Sequence, residues 1–392
     1  MLISISYILL VGMFLGYICK KIKIPSLFGM VITGILLGPY VLNLIDASIL
    51  SVSSELRRIA LLIILLRAGL SLDIGDLKKV GRPAILMCFV PACFEIVGMI
   101  VLAPKLLNIT VLDAAIMGAV IAAVSPAVIV PKMIKLMEEG YGTNKNIPQL
   151  ILAGAAVDDV FVIVIFTTFT GMAKGSGASI WNFVNIPVSI LLGILIGLFI
   201  GYLYTKFFTK YHIRDTIKVI ILLSTSFIMV TIEDTFSAFL PFSALIGVMC
   251  IGIAFQKYKE NVAKRLSLKF NKLWVIAEIL LFVLVGATVD LNNAFTAGFR
   301  AVFLLFGVLL FRMIGVYVSL IGTKLNNNEK LFCMIGYTPK ATVQAAIGGI
   351  PLAMGLACGN IVLTISVLAI LITAPLGAFF IDKTYKTLLT KK

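Results

Sequence analysis

Two adjacent carboxylates, Asp158 and Asp159, stand in the middle of the apolar run AGAAVDDVFVIVI at residues 153–165. An aspartate at the centre of a bilayer-spanning helix costs on the order of 2.5–3.5 kcal/mol on insertion scales, so a pair there reads as an ion or proton site unless a basic partner claims it. A purely structural contact needs one carboxylate, and this run carries two. Neighbours on a helix point about 100° apart, so one of the two faces a water-filled cavity and the other a neighbouring helix. Asp159 is the expected cation ligand. Its oxygens suit a proton and a small hard cation alike, and competition between the two is all that exchange requires.

The elements that must carry such a pair follow from composition. The chain has 392 residues, 60% of them hydrophobic and only 13% charged, against about 25% charged in soluble domains. That is the make-up of an all-α polytopic membrane protein. Spans of about 20 apolar residues fall near 2–19, 26–45, 57–72, 83–104, 112–137, 148–172, 181–206, 216–232, 238–255, 272–290, 299–323, 329–355 and 360–382, which makes thirteen transmembrane helices. The formal charge of +15 is a topology signal. With the N-terminus outside, 25 of the 33 lysines and arginines fall in cytoplasmic loops, as the positive-inside rule requires, and the C-terminus is cytoplasmic. The expected partner is therefore membrane lipid in a plasma membrane and not nucleic acid. The first run has no basic n-region and no A-x-A-like site, so it reads as a retained span. Six scattered cysteines and the lone histidine His212 give no metal cluster and no disulfide framework.

The fifth and twelfth spans share an irregularity. AAVSPAVIVP puts Ser125 and Pro126 near the middle of one, and YTPKATVQAAIGG puts Pro339, Lys340 and Thr342 in the equivalent place of the other. Proline removes a helical hydrogen bond and clashes with the preceding turn, so both helices are expected to break there. Spans one to six and eight to thirteen then superpose as two six-helix units about the seventh, which inverts the second. This is the pattern of inverted repeats with broken helices forming a midplane site.

Glu95, Ser125, Asp158 with Asp159, Arg312 and Lys340 all lie within about two residues of their spans' midpoints, a slab about 6 Å thick. Arg312 is permanently charged and needs an anion at its own depth. Glu95 is the expected partner and Asp158 the alternative. Lys340, inside a break, is expected to compensate half-helix dipoles or to lie near the crossing of the two broken spans. Arg67, Glu233, Asp234 and Glu278 lie towards span ends and are left out of the site, as is His212 in its basic loop.

The chain resembles the monovalent cation:proton antiporter superfamily, in its NHA-type branch of sodium/proton exchangers. The words that carry the resemblance are IILLRAGLSLD at 63–73, AVSPAVIVPKM at 123–133, GAAVDDV at 154–160, Arg312 in LLFRMIG, and TPKATVQAAIG at 338–348. The resemblance implies a thirteen-helix homodimeric antiporter with Asp158 and Asp159 as the cation and proton site. It also implies an elevator-like mobile core against a scaffold. The divisions expected are scaffold helices in 1–81, core in 82–172, a linker in 173–215, scaffold in 216–298 and core in 299–392. Electrogenic relatives carry a titratable lysine in the eleventh span where this chain has Arg312. One proton per cation, hence electroneutral exchange, is expected if hydrogen bonds near Ser125 keep Asp158 in one protonation state, and two if both carboxylates titrate.

The expected function is secondary exchange of Na+ or Li+ for H+, with no cofactor and no enzymatic step. K+/H+ exchange or gated K+ efflux on the same fold is the first alternative. The gated form usually adds a nucleotide-binding domain, whereas only about a dozen residues follow Phe380 and no GxGxxG follows a strand. A sodium-coupled organic-anion symporter would want a roomier polar cavity. An intramembrane enzyme lacks HExxH, GxSxG and a second aspartate-bearing span.

Overall fold

Backbone N–H and C=O groups that cross a bilayer are satisfied only within helices or closed β-barrels, and long unbroken apolar runs favour helices. A computed structural model of the protein describes residues 1–71, 81–173, 180–211, 213–236 and 242–391, and helices make up nearly all of it. In order they are α1 (Leu2–Lys21), α2 (Ser26–Leu37), α3 (Ala47–Ser51), α4 (Ser53–Ser71), α5 (Arg82–Met87), α6 (Val90–Leu107), α7 (Val111–Ile121), α8 (Pro126–Glu139), α9 (Ile147–Gly171), α10 (Ile180–Lys210), α11 (Asp215–Phe236), α12 (Ala244–Tyr258), α13 (Glu260–Ala287), α14 (Leu291–Ser319), α15 (Asn327–Gly336), α16 (Thr342–Ile347), α17 (Ile350–Ala353) and α18 (Gly359–Leu388). Among the described residues nine helical stretches are long and apolar enough to cross a membrane, and three shorter apolar ones, 26–37, 244–258 and 342–353, accompany them. His212, Lys78, Lys79 and Lys174 lie outside the described residues.

Prolines and glycines set where these helices stop. The expected fifth span is two helices, α7 and α8, separated by residues 122–125, with Pro126 opening the second half. The twelfth is likewise divided between α15 and α16. Two departures from the expected spans have the same origin. The fourth, read as one helix over 83–104, is interrupted at Cys88 and Phe89 before Pro91, which has no N–H to continue the ladder. The second ends at Leu37 instead of continuing to 45, because Gly38 and Pro39 follow it.

The chain divides into two compact units. The first comprises Met1–Arg57, Asp76–Thr170 and Ile279–Lys392. Its helices approach closely at small residues: a Cβ on Gly34 of α2 would lie 1.9 Å from the carbonyl oxygen of Val283 in α13. One wall of its core gathers Met87, Ile129, Ile151, Phe332, Cys333 and Tyr337, all fully buried. The 140–146 loop between α8 and α9 is tied to the residues that follow α18, with Gly142 N–H donating to Thr390 O at 2.9 Å, and the end of α8 is tied to α18 itself, with Tyr385 hydroxyl donating to Glu139 at 2.8 Å. The second unit comprises Arg58–Gly75 and Gly171–Glu278. Within it Glu233, which the sequence placed outside the site, accepts from the N–H of Ala244 at 3.1 Å and so caps α12.

Candidate functional site

The site is built where the breaks of α7–α8 and α15–α16 meet in the first unit. In a continuous helix Val124 N–H would close onto Val120 O and Ser125 N–H onto Ile121 O. Neither does. Val124 N–H donates to Asp158 Oδ2 at 2.9 Å, and Ser125 N–H donates to the carbonyl of Pro339 at 2.8 Å. Pro126 has no N–H to offer Ala122. In the second break Lys340 N–H donates to Thr373 Oγ1 at 2.9 Å instead of closing onto the carbonyl of Gly336. The two breaks are thus joined backbone to backbone, and their freed amides reach across to α9 and α18.

Arg312, fully buried on α14, supplies donors to both breaks. Its Nε donates to Tyr337 O at 2.7 Å and its Nη1 to Ala122 O. The same guanidinium holds two carboxylates, with Nη1 to Glu95 Oε2 at 2.7 Å and Nη2 to Asp158 Oδ2 at 2.8 Å. Glu95 Oε2 also accepts from Lys340 Nζ at 2.6 Å. Where the sequence offered Glu95 or Asp158 as alternative partners of Arg312, the fork of the guanidinium takes both, so Asp158 is not free of a base. Lys340 lies in the second break, next to the Pro339 carbonyl that joins the two, and its ammonium finds a carboxylate on α6. All four side chains are buried, and charge-assisted bonds of this length are the strong kind.

Asp159, 8% exposed, stands beside this network. Its Oδ1 is buried without a hydrogen-bond partner among the described residues, as are Asp158 Oδ1, Glu95 Oε1, Ser125 Oγ and Thr342 Oγ1. Buried polar atoms are rarely left so. Among the described residues no group of three or more His, Cys, Asp or Glu is placed to hold a metal, so a bound cation would draw on carboxylate oxygens together with such neutral ones. Oxygen donors are the kind that a hard cation takes.

Pro339 packs its ring against Gly377 of α18, where a Cβ would lie 2.5 Å from it. Two residues that the sequence reading did not single out belong to the same crossing. Gln344, fully buried on α16, directs its amide Nε2 to the carbonyls of Val120, Ile121 and Ala123 at 3.2, 3.0 and 2.9 Å. Tyr337 puts its ring under the guanidinium, 5.3 Å from its carbon. Gln344 lies at the same depth as Lys340 but carries no charge to mark it in the sequence. Nothing in its residue type marks Tyr337.

The sequence profile of the family described as sodium/hydrogen exchanger, transmembrane, matches residues 7–383 of the chain. The chain belongs to the sodium/hydrogen exchanger family. This exchanger is similar to sodium/hydrogen exchanger 9B2 of Mus musculus, 32% identical over 375 residues that cover 91% of this chain and 67% of that one. It is also similar to sodium/hydrogen exchanger 9B2 of Homo sapiens, 31% identical over 383 residues, covering 94% and 70%. The solved structure of the sodium proton antiporter MjNhaP1 from Methanocaldococcus jannaschii at pH 8 matches it with a TM-score of 0.86 over 99% of each chain, at 20% sequence identity. The all-helical polytopic membrane fold is therefore shared, and the exchanger is a member of the monovalent cation:proton antiporter superfamily that its motifs resembled.

Proposed function

We propose that this exchanger carries Na+ or Li+ against H+ by letting the two compete for Asp159 beside Asp158, one cation for one proton. The observation that carries the reading is a charge count. Three buried carboxylates, Glu95, Asp158 and Asp159, meet two buried cations, Arg312 and Lys340. With Lys340 as an ammonium, the cluster holds one negative charge in excess. An uncompensated charge in a low-dielectric interior is costly. One proton or one monovalent cation cancels it, and the two loaded forms then have the same charge. Asp158 Oδ2 is already held by Arg312 and by the amide of Val124, so Asp159 is the carboxylate left to change its partner.

The same reading assigns the chain thirteen transmembrane helices in two inverted six-helix repeats, in a plasma membrane, with the N-terminus outside. A homodimer whose core moves as an elevator completes it. It is supported by the paired breaks, the cytoplasmic placement of basic residues and family membership.

The test is a pH dye in proteoliposomes challenged with Na+, Li+ or K+. Na+ or Li+ should release the proton gradient, and the apparent KM for Na+ should rise by about tenfold per pH unit on the acid side, the slope expected of a single competing proton. Asp159→Asn, which keeps shape and cannot cycle a proton, should abolish the signal while leaving the protein folded. Undiminished exchange by that variant would sink the site, and a response to K+ alone would move the chain to the K+/H+ reading.

A further inference from the structure

The carbonyls at the end of α7 are short of donors for a stated reason. The backbone amides that a continuous helix would aim at them serve elsewhere, Val124 N–H on Asp158 and Ser125 N–H on Pro339, and residue 126 is a proline. Carbonyls at a buried helix end must find other partners. Ala122 O is served by Arg312. Val120, Ile121 and Ala123 are all served by one side-chain nitrogen, Gln344 Nε2. An amide has only two N–H bonds to divide among three acceptors, and Gln344 itself is fully buried on the other broken span.

We propose that Gln344 is a positioning residue of the exchange site, which the reading above places at Asp158 and Asp159. By taking over the Val120, Ile121 and Ala123 carbonyls it holds the unwound 122–125 segment open, and so frees the Val124 amide to hold Asp158. Without that donor the cheapest repair is for Val124 N–H to turn back to Val120 O and rebuild a helical turn. Asp158 then loses a partner, and the geometry beside Asp159 changes with it. Gln344 touches neither carboxylate. Its effect travels through one backbone amide.

The full-length protein in proteoliposomes tests this with Gln344→Met, which keeps length and loses the donor, and Gln344→Glu, which keeps shape and donates only when protonated. Loss of one positioning hydrogen bond corresponds to about tenfold in affinity. Gln344→Met should therefore raise the KM for Na+ and Li+ by about tenfold with little change in kcat. Gln344→Glu should shift its pH profile towards acid, recovering exchange as the carboxyl gains the proton that it donates. Folded Gln344→Met with unaltered KM and pH profile would overturn the proposal. So would failure of both variants to fold, because that would assign the amide to stability alone. Asp159→Asn run in parallel separates the two ideas. If it is inactive and the Gln344 variants behave as wild type, only the positioning role falls; if it exchanges normally, the site itself falls.

Discussion

Replacing Glu95 by Gln removes one charge from a cluster whose balance is fixed by geometry. Glu95 Oε2 accepts from Arg312 Nη1 at 2.7 Å and from Lys340 Nζ at 2.6 Å. The amide oxygen can still accept, but two buried cations lose an anion, a change of about 3 kcal/mol at the lower end for broken buried pairs. Replacing Arg312 by Gln does more. It strips a donor from Ala122 O and from Tyr337 O, at about 1–3 kcal/mol for each buried acceptor left unmade, and leaves Asp158 with Val124 alone. About 5 kcal/mol is expected. The double replacement keeps the carbonyl losses but restores the charge balance, so it should cost about 5 kcal/mol rather than the sum of about 8, a coupling of about 3 kcal/mol. With about 2.1 cal/mol/K of unfolding entropy per residue over 392 residues, each 3 kcal/mol corresponds to roughly 4 °C in Tm. Thermal melting of the purified variants in detergent closes the cycle. Shifts that add to within about 0.5 kcal/mol would refute the coupling.

An imposed membrane potential should leave Na+-dependent proton release by the unmodified exchanger nearly unchanged; a steep dependence would contradict the one-for-one count. Lys340→Gln raises the excess negative charge from one to two, so the same liposome assay should become sensitive to potential, and continued insensitivity would remove Lys340 from the count. Gly154→Ala puts a methyl group 1.9 Å from the Tyr337 hydroxyl, which displaces the ring under Arg312. A loss of about 1–3 kcal/mol in stability together with slower exchange is expected, and a variant that melts and transports as wild type would show that the ring's position is unimportant.

Proline made the two breaks legible in the chain, because Pro126 and Pro339 lack the N–H that a helix needs wherever they stand. Charge made Glu95, Asp158, Arg312 and Lys340 legible, since each interrupts an apolar run at one depth. Their pairing was less accessible. A guanidinium has donors on several edges, and only the packing of α6, α9 and α14 decides that Arg312 reaches two carboxylates and two carbonyls together. The interruption at Cys88 was in the sequence as Pro91, but a proline near a span's start is compatible with an unbroken helix opening there. Gln344 was hidden for a different reason: an uncharged amide in a small-residue run looks like a packing position until the carbonyls that it serves are known to be vacant.

The Ser125 N–H to Pro339 carbonyl bond joins main chain to main chain, and this makes it nearly invisible to genetics. Replacing Ser125 by almost any residue other than proline leaves both the donor and the acceptor in place. A scan of side chains through the crossing would report on Arg312, Glu95 and Gln344 and pass over the bond that fastens the two breaks together. The bond yields only to edits of the backbone itself, such as proline at 125 or an ester in place of that amide. Sequence drift at position 125 can therefore be wide while this bond persists, and variability there would be no measure of mechanical importance.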